Sequence, residues 1–279
     1  MADTPCSSYG ATDISRAYFP SMCSATCASA MCARLNAKMN NLPKAMLIDL
    51  DDTILAYDKL ARPTWLSVCQ NHAEALPGVT PEEVVEAIDE YRKWYWSDPT
   101  RHRTARLNLG NVRGDVVEGG FERLGITAPE LALKMGNEYA EKREQAVSPF
   151  PGAIDALVAL KDLGIRMAMV TNGSSETQRA KISRWDLEPY FEYILVEGEF
   201  GTGKPDPEVY RHAMTTLDSE PPNTWMIGDN LEWEVAAPQR MGITGVWHDW
   251  KGRGLPQGTK IKPDRIIKSL QDLLQLPLE

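Results

Sequence analysis

Short apolar runs alternate with segments of helical period along most of the chain. The runs that we interpret as buried strands cover residues 45–50, 165–171, about 193–196, 224–228 and 243–247. Between them, apolar residues recur every three or four positions, as in amphipathic helices, over 152–163, 174–185, 207–217 and 231–241. A short strand at 264–267 and a helix at 268–274 complete the series. The alternation predicts an α/β fold, in which helices cover both faces of a parallel sheet.

Residues 55–148 interrupt this alternation. They contain no pattern of a buried strand, and four successive helical patterns cover 63–76, 81–96, 109–124 and 129–147, with Pro or Gly at the joins. We therefore predict an inserted helical cap domain over 55–148, between core segments at 42–54 and 149–279. Because the insert follows an acidic segment directly, its helices are placed to close over that segment.

Composition narrows the classes of partner. The 279 residues carry a formal charge of −9, which argues against a nucleic-acid partner, because phosphate backbones require a surplus of Lys and Arg. No apolar run approaches the roughly 18 residues that span a bilayer, so we predict no membrane partner. A small phosphorylated metabolite stays compatible with this composition if the binding site is locally positive. The oligomeric state is not predicted.

The first 41 residues differ from the rest of the chain. They are rich in Ser, Ala and Met and hold four of the five cysteines, and we predict a disordered leader over 1–41. An odd cysteine count without a signal peptide favours a reducing compartment and a cytoplasmic location, although organellar targeting by the leader stays open. The spacing of Cys23, Cys27 and Cys32 lacks a C-x-x-C pair and a nearby His, which disfavours a metal site.

Polar residues of unusual type follow four of the predicted strands. Acids come after the first and fourth strands, a hydroxyl and an amide after the second, and a lysine after the third. The residues are Asp49, Asp51, Thr171, Asn172, Lys204, Asp229 and Glu234. In a parallel sheet these strand ends lie at one edge, which is where ligands bind. The acids repel one another unless a cation neutralises them, so the pattern favours a divalent metal.

The four segments, in this order and at these strand ends, resemble the four motifs of the haloacid dehalogenase-like (HAD) hydrolase superfamily. The resemblance covers about residues 42–274, and the insert is similar to the type 1 helical cap of that family. It implies a Rossmann-like core with an inserted cap. It also implies a Mg²⁺-dependent phosphatase that acts on a small phosphomonoester through a phosphoaspartyl intermediate.

The resemblance also implies a role for each matching residue. Asp49 would be the nucleophile and Asp51 the general acid/base. The phosphoryl oxygens would be bound by Thr171, Asn172 and Lys204, of which Thr171 and Lys204 also count as catalytic.

The expected cofactor is Mg²⁺. Its ligands would be the carboxylates of Asp49 and Asp229 and the backbone carbonyl of Asp51. Glu234 stands where an aspartate is common in the family, so we treat it as a supporting residue. Its longer side chain could reach a metal-bound water or Lys204, or lie away from the metal.

Elementary chemistry agrees with these assignments. A carboxylate that attacks phosphorus forms an acyl phosphate, which divides one difficult displacement into two easier ones. The resemblance implies phosphate chemistry rather than dehalogenation, because the dehalogenases of that family need no metal and lack the aspartate that stands here as Asp51. A phosphomutase on the same core and a non-catalytic binding protein that keeps the fold stay open. Sugar phosphates, phosphoglycolate and nucleotide-like phosphates all stay candidate substrates.

The insert carries a cluster of basic residues in an otherwise acidic protein. The cluster comprises Arg92, Lys93, Arg101, His102, Arg103, Arg106 and Arg113. Such a cluster would attract an anion, but for any single member we favour a solvated helix face. We interpret Trp94, Tyr95 and Trp96 as cap core or lid interface, and Thr53 and Ser174 as candidate helix N-caps.

Overall fold

The computed structural model describes residues 42–275, and the structural statements below concern this part of the chain. The predicted disordered leader, its cysteine spacing and the last four residues lie outside the described residues. Residues 42–275 pack as one compact unit. None of the helices in this range is both long enough and apolar enough to cross a lipid bilayer.

Eight strands are present in residues 42–275, and six of them form one parallel sheet in the order β5-β4-β1-β6-β7-β8. The remaining two form a separate antiparallel pair. The strands are β1 (Ala45–Ile48), β2 (Leu55–Ala56), β3 (Ser148–Pro149), β4 (Arg166–Thr171), β5 (Tyr193–Val196), β6 (Thr224–Gly228), β7 (Thr244–His248) and β8 (Arg265–Ile267). This sheet confirms the predicted α/β, Rossmann-like fold class.

Strand β1 lies in the middle of the sheet and is buried on both faces. Met46 and Ile48 pack into one apolar cluster, while Ala45 and Leu47 pack into a second cluster on the opposite face. A strand covered on both sides needs no polar alternation, which explains its continuous apolar run. Because β1 pairs with β4 on one side and β6 on the other, the ends of these three strands are neighbours.

Among residues 42–275, five helices form the insert and five further helices surround the sheet. The insert helices are α1 (Ala61–Asn71), α2 (Pro81–Ser97), α3 (Pro99–Ala105), α4 (Leu109–Arg123) and α5 (Pro129–Ala146). The helices around the sheet are α6 (Ala153–Asp162), α7 (Ser175–Arg184), α8 (Glu197–Phe200), α9 (Pro207–Thr216) and α10 (Ala237–Gln239). Short 3-10 turns cover Asp58–Leu60, Ala73–Ala75, Glu188–Tyr190, Pro221–Asn223 and Leu270–Leu274.

The insert helices enclose an apolar cluster of their own, around Trp65, Ile88, Phe121 and Met135. Helices α4 and α5 approach closely at Gly136, where an added Cβ would lie 2.9 Å from the backbone of Arg113. The chain enters and leaves the insert through the antiparallel pair β2 and β3. The insert helices therefore begin and end at a short two-stranded pair next to the end of β1.

Several boundaries differ from the sequence prediction. Strand β1 ends at Ile48 rather than at residue 50, because the carbonyl of Leu50 accepts the backbone N–H of Ile54 and Leu55 and turns the chain. Residues 231–241 begin with a π-helical turn at Leu231–Ala236, and the final helix is a 3-10 turn over Leu270–Leu274. Helix α3 and the pair β2/β3 were not predicted, since such short elements show little periodicity.

Candidate active site

Asp49 opens the loop after β1, and two donors hold its carboxylate. Oδ1 lies 2.6 Å from Lys204 Nζ, and Oδ2 accepts a hydrogen bond from Thr53 Oγ1 at 3.0 Å. Burial raises the pKa of Asp49 above its ordinary value, and the Lys204 ammonium opposes that rise. The ion pair thus favours an ionised carboxylate at a buried position. Thr53 serves this carboxylate rather than capping a helix, whereas Ser174 does cap α7.

Lys204 is buried, and its backbone and side chain are both fixed. Its N–H donates to Asn172 Oδ1 and its carbonyl accepts from Asn172 Nδ2, each at 2.8 Å. Its ammonium bridges Asp49 and Glu234, with Glu234 Oε1 at 2.8 Å. Burial alone would lower the pKa of Lys204, but the two carboxylates raise it above its ordinary value. Lys204 is therefore a permanent, precisely oriented cation.

Glu234 reaches Lys204 from the π-helical turn that follows β6. Its Oε2 accepts the backbone N–H of Asn230 at 2.7 Å, and burial raises the pKa of Glu234 to about 7. The side chain crosses directly over Gly228, where an added Cβ would lie 2.1 Å from Glu234 Cγ. A glycine is therefore required at the end of β6. The sequence left open whether Glu234 reaches a metal-bound water, Lys204 or neither, and the structure shows that it contacts Lys204.

Asp51 has a different cation from Asp49. Both of its carboxylate oxygens lie 2.6 Å from Lys181 Nζ, and Gln178 Nε2 donates to Oδ2 at 3.0 Å. Gln178 Nε2 also donates to the hydroxyl oxygen of Thr171. Neither Gln178 nor Lys181 was singled out in the sequence. The one sequence signal for their role was their spacing: two polar residues three positions apart lie on the same face of a helix.

Asp229 stands apart from these ion pairs. Among residues 42–275, no side chain or backbone group donates a hydrogen bond to its carboxylate; the backbone carbonyl of Asp229 accepts from Trp247 Nε1 at 2.8 Å. Burial raises the pKa of Asp229 well above its ordinary value, and the nearby carboxylates of Glu234 and Asp49 raise it further. A divalent cation would remove this repulsion.

The donor set around Asp229 fits Mg²⁺. In the described part of the chain, no three His, Cys, Asp or Glu side chains form a complete metal cage. Two carboxylates, from Asp49 and Asp229, and the Asp51 carbonyl are instead a partial set of hard oxygen ligands. Mg²⁺ characteristically takes one or two carboxylates and keeps several waters, so these residues suit it.

All seven residues predicted from the sequence line one cavity of about 390 Å³, and the end of β1 forms its floor. Asp49, Lys204 and Glu234 are in direct contact, and Asp51 and Thr171 are linked through Gln178. Asn172 contacts the backbone of Lys204 with both polar atoms of its amide. Its catalytic or substrate-binding role, like those of the other six residues, stays a prediction.

Comparison with known proteins decides the family. Residues 43–242 match the family model of the haloacid dehalogenase-like hydrolases. The chain belongs to this family. The resemblance based on the four motifs is therefore confirmed, and the protein is a HAD-like hydrolase.

The relatives of this HAD-like hydrolase include phosphatases. The chain is 30% identical over 179 residues to the phosphoserine phosphatase of Thermus thermophilus, covering 64% of this chain and 65% of that protein. It is 26% identical over 206 residues to a glyceraldehyde 3-phosphate phosphatase of Methanopyrus kandleri, covering 73% of this chain and 82% of that protein.

Solved structures show the same fold. The magnesium-bound structure of the HAD hydrolase YfnB from Bacillus subtilis matches with a TM-score of 0.66. The match covers 84% of this chain and 98% of YfnB. At 21% sequence identity, the likeness concerns the fold alone.

The insert forms the wall of the cavity opposite the strand ends. The insert residues that line it are Tyr57, Asp58, Trp65, Arg92, Trp96, His102, Arg106, Val112, Arg113, Val116, Tyr139 and Arg143. The basic cluster predicted from the sequence is thus divided: some members line the cavity, and others, such as Arg103, are exposed. Trp96 lines the cavity, while Trp94 is 49% exposed and is not among the lining residues of this cavity.

Proposed function

We propose that this HAD-like hydrolase is a Mg²⁺-dependent phosphatase that cleaves a small phosphomonoester through a phosphoaspartyl intermediate on Asp49. The observation that carries the proposal is the Asp49 carboxylate, buried and held between Lys204 and Thr53 at the floor of the cavity. The curated relatives described above are phosphatases, which supports the same reaction class.

In the first half of the reaction, a carboxylate oxygen of Asp49 attacks phosphorus and the ester oxygen leaves as an alcohol. Asp51 supplies the proton for this oxygen. Lys204 lies beside the attacking carboxylate, where its charge stabilises the phosphoryl oxygens in the transition state. Mg²⁺, held by Asp49, Asp229 and the Asp51 carbonyl, would supply further charge neutralisation when bound.

In the second half, water attacks the acyl phosphate and releases inorganic phosphate. Asp51 now takes a proton from that water. Its contacts with Lys181 Nζ at 2.6 Å hold the carboxylate in place for this step. Gln178 orients the same carboxylate and ties it to Thr171.

The test is hydrolysis of p-nitrophenyl phosphate by the purified full chain with Mg²⁺. We expect Asp49→Asn to lower kcat by at least about 1,000-fold, because the amide is a poor nucleophile. Asp155→Asn is a matched control, since Asp155 is exposed on α6 away from the cavity. Excess EDTA should abolish turnover, and added Mg²⁺ should restore it. Activity that survives Asp49→Asn would refute the assignment of the nucleophile.

The products separate the alternatives. Acid-quenched turnover of a radiolabelled phosphomonoester should leave label on the wild-type protein and none on Asp49→Asn. Free phosphate as the main product indicates hydrolysis, whereas an isomerised sugar phosphate would indicate a mutase. Binding of Mg²⁺ without turnover of any phosphate ester in a broad panel would favour a non-catalytic protein.

A further inference from the structure

Four hydrogen-bond donors in the insert wall of the cavity, here called the cap wall, have no partner among residues 42–275. They are the indole N–H of Trp65, the phenol O–H of Tyr139 and the Nε–H groups of Arg92 and Arg143. All four residues line the cavity. The Nη atoms of Arg92 lie in ion pairs with Asp58 and Asp89, which leaves Trp65, Tyr139 and Arg143. Trp65 is 2% and Tyr139 4% exposed. Buried donors are nearly always paired in native proteins, because an unpaired one loses its bond to water without replacement. These donors therefore indicate an acceptor that enters the cavity.

Ring packing holds the side chains of Trp65, Tyr139 and Arg143, and a backbone hydrogen bond also holds Arg143. Tyr139 and Arg143 lie one turn apart on α5, on the same helix face. The ring of Trp65, from α1, stacks on Tyr139 with 3.7 Å between centroids and 4° between planes. The Arg143 guanidinium lies 3.5 Å from the ring centroid of Tyr57, and its Nη2 donates to the Tyr57 carbonyl at 3.2 Å. The donors are thus oriented before a ligand arrives.

Arg143 also carries the charge that the cavity leaves uncompensated. Among the described residues, it has no carboxylate oxygen within 4.0 Å, while the other cations that line the cavity are paired. Those pairs are Arg92 with Asp58 and Asp89, Arg106 with Glu197, Arg113 with Glu144, Lys181 with Asp51, Lys204 with Asp49 and Glu234, and Lys251 with Asp58. The cap wall therefore presents one positive charge and two neutral donors.

On these grounds we infer that the cap wall binds a carboxylate group of the substrate, through Arg143, Tyr139 and Trp65. The inference rests on the phosphatase function proposed above, and it defines the substrate as a small carboxylated phosphomonoester. A guanidinium binds a planar carboxylate through two parallel hydrogen bonds, and one cation balances one carboxylate charge. A second phosphate would bring a charge of about −1.5 to −2, which a single guanidinium does not balance.

The test compares substrates that differ only in the second anionic group. 3-Phosphoglycerate and glycerol 3-phosphate differ by a carboxylate in place of a hydroxymethyl group, and propanediol bisphosphate supplies a second phosphate instead. We expect kcat/KM of the wild-type protein to be about 10- to 100-fold higher for 3-phosphoglycerate than for glycerol 3-phosphate, the range for hydrogen bonds to a charged group.

Variants assign this preference to the cap wall. Arg143→Gln should bring the ratio of the two kcat/KM values close to one. Arg143→Lys keeps the positive charge but loses the two parallel N–H donors of the guanidinium. Its ratio of kcat/KM values should therefore lie between those of the wild type and Arg143→Gln. Tyr139→Phe keeps the stacked ring, loses one donor and should lower the ratio several-fold. Arg103→Gln, at an exposed position of the same insert, is the control and should leave the ratio unchanged.

The outcomes separate this inference from the proposed function. Hydrolysis of p-nitrophenyl phosphate together with equal kcat/KM for the matched pair would overturn the carboxylate site and leave the phosphatase proposal intact. A preference for propanediol bisphosphate would overturn the carboxylate assignment. If the protein hydrolyses no ester, titration calorimetry on Asp49→Asn measures the affinity for the two ligands instead. Tighter binding of 3-phosphoglycerate than of glycerol 3-phosphate supports the carboxylate site, and equal binding overturns it. If Arg143→Gln does not fold, Tyr139→Phe provides the same comparison.

Discussion

The ion pair between Arg106 and Glu197 joins the insert to the sheet core. Arg106 Nε and Nη2 donate to the two carboxylate oxygens at 2.7 and 2.6 Å. The side chain of Glu197 is 1% exposed, and its carboxylate also accepts the backbone N–H of Gly173 at 2.9 Å. Arg106→Gln would leave a buried carboxylate with one charge-neutral donor. We predict a large loss in the free energy of unfolding.

The magnitude follows from burial. Removing one partner of a buried ion pair costs about 3–5 kcal/mol, because the remaining charge is desolvated without compensation. The Arg106 side chain is 12% exposed and the Gly173 N–H stays bound, so we expect about 3 kcal/mol for Arg106→Gln. Glu197→Gln should be milder, since the amide oxygen can still accept from Gly173. The double-mutant cycle should give a coupling energy of about 2 kcal/mol.

A second Arg–Glu pair provides the control. Arg166 Nε and Nη2 both donate to Glu192 Oε2, at 3.0 and 2.7 Å, and Nε also donates to Oε1 at 3.2 Å. These side chains are 39% and 47% exposed. The coupling energy of this pair should stay below about 1 kcal/mol and fall further in high salt, because solvent screens it. Urea unfolding of both cycles measures the difference. Equal coupling energies in the two pairs would refute the argument that burial sets the strength of the Arg106 contact.

Three further predictions concern the floor of the cavity. Gly228→Ala should lower the free energy of unfolding by about 2 kcal/mol or more, measured by urea unfolding, because its Cβ would overlap Glu234 Cγ. Burial raises the pKa of Asp52 from 3.8 to about 7, so between these pH values the folded chain holds a proton that the unfolded chain releases. The free energy of unfolding should therefore fall as pH rises through this interval. In EDTA, Asp52→Asn should make this pH dependence weaker. Thr53→Val removes a hydrogen bond to Asp49 and should lower kcat for p-nitrophenyl phosphate about tenfold, whereas Thr53→Ser should retain most activity.

The sheet could be predicted because its signals are local. The strands around the site are short, buried apolar runs, and a single strand such as β1 shows this within four residues. Parallel topology then brings their ends to one edge, so the proximity of Asp49, Thr171 and Asp229 follows from the strand assignments alone. The same logic explains why the family motifs were recognisable in order along the chain.

The remaining site residues depend on contacts that sequence periodicity does not encode. Lys181 lies on a strongly polar helix, and only the approach of Asp51, 130 positions earlier, shows that it faces the site. Arg143 lies outside the basic cluster that the sequence displays, and Tyr57, which orients it, is 86 positions away. Of the arginines in that cluster, Arg92, Arg106 and Arg113 line the cavity, and each pairs with a protein carboxylate, whereas Arg143 pairs with none among residues 42–275.

Charge pairing across the cavity explains how its two walls differ. On the floor, Asp49 and Asp51 each have a separate lysine, so the attacking and proton-transferring carboxylates do not compete for one cation. Asp229 has no cation within 4.0 Å among the described residues, and on the cap wall Arg143 has no carboxylate within the same distance. A ligand that compensates both must bring positive charge to Asp229 and negative charge to Arg143. A phosphoryl group accompanied by a divalent cation, joined to a carboxylate by a short carbon chain, meets this requirement at both ends.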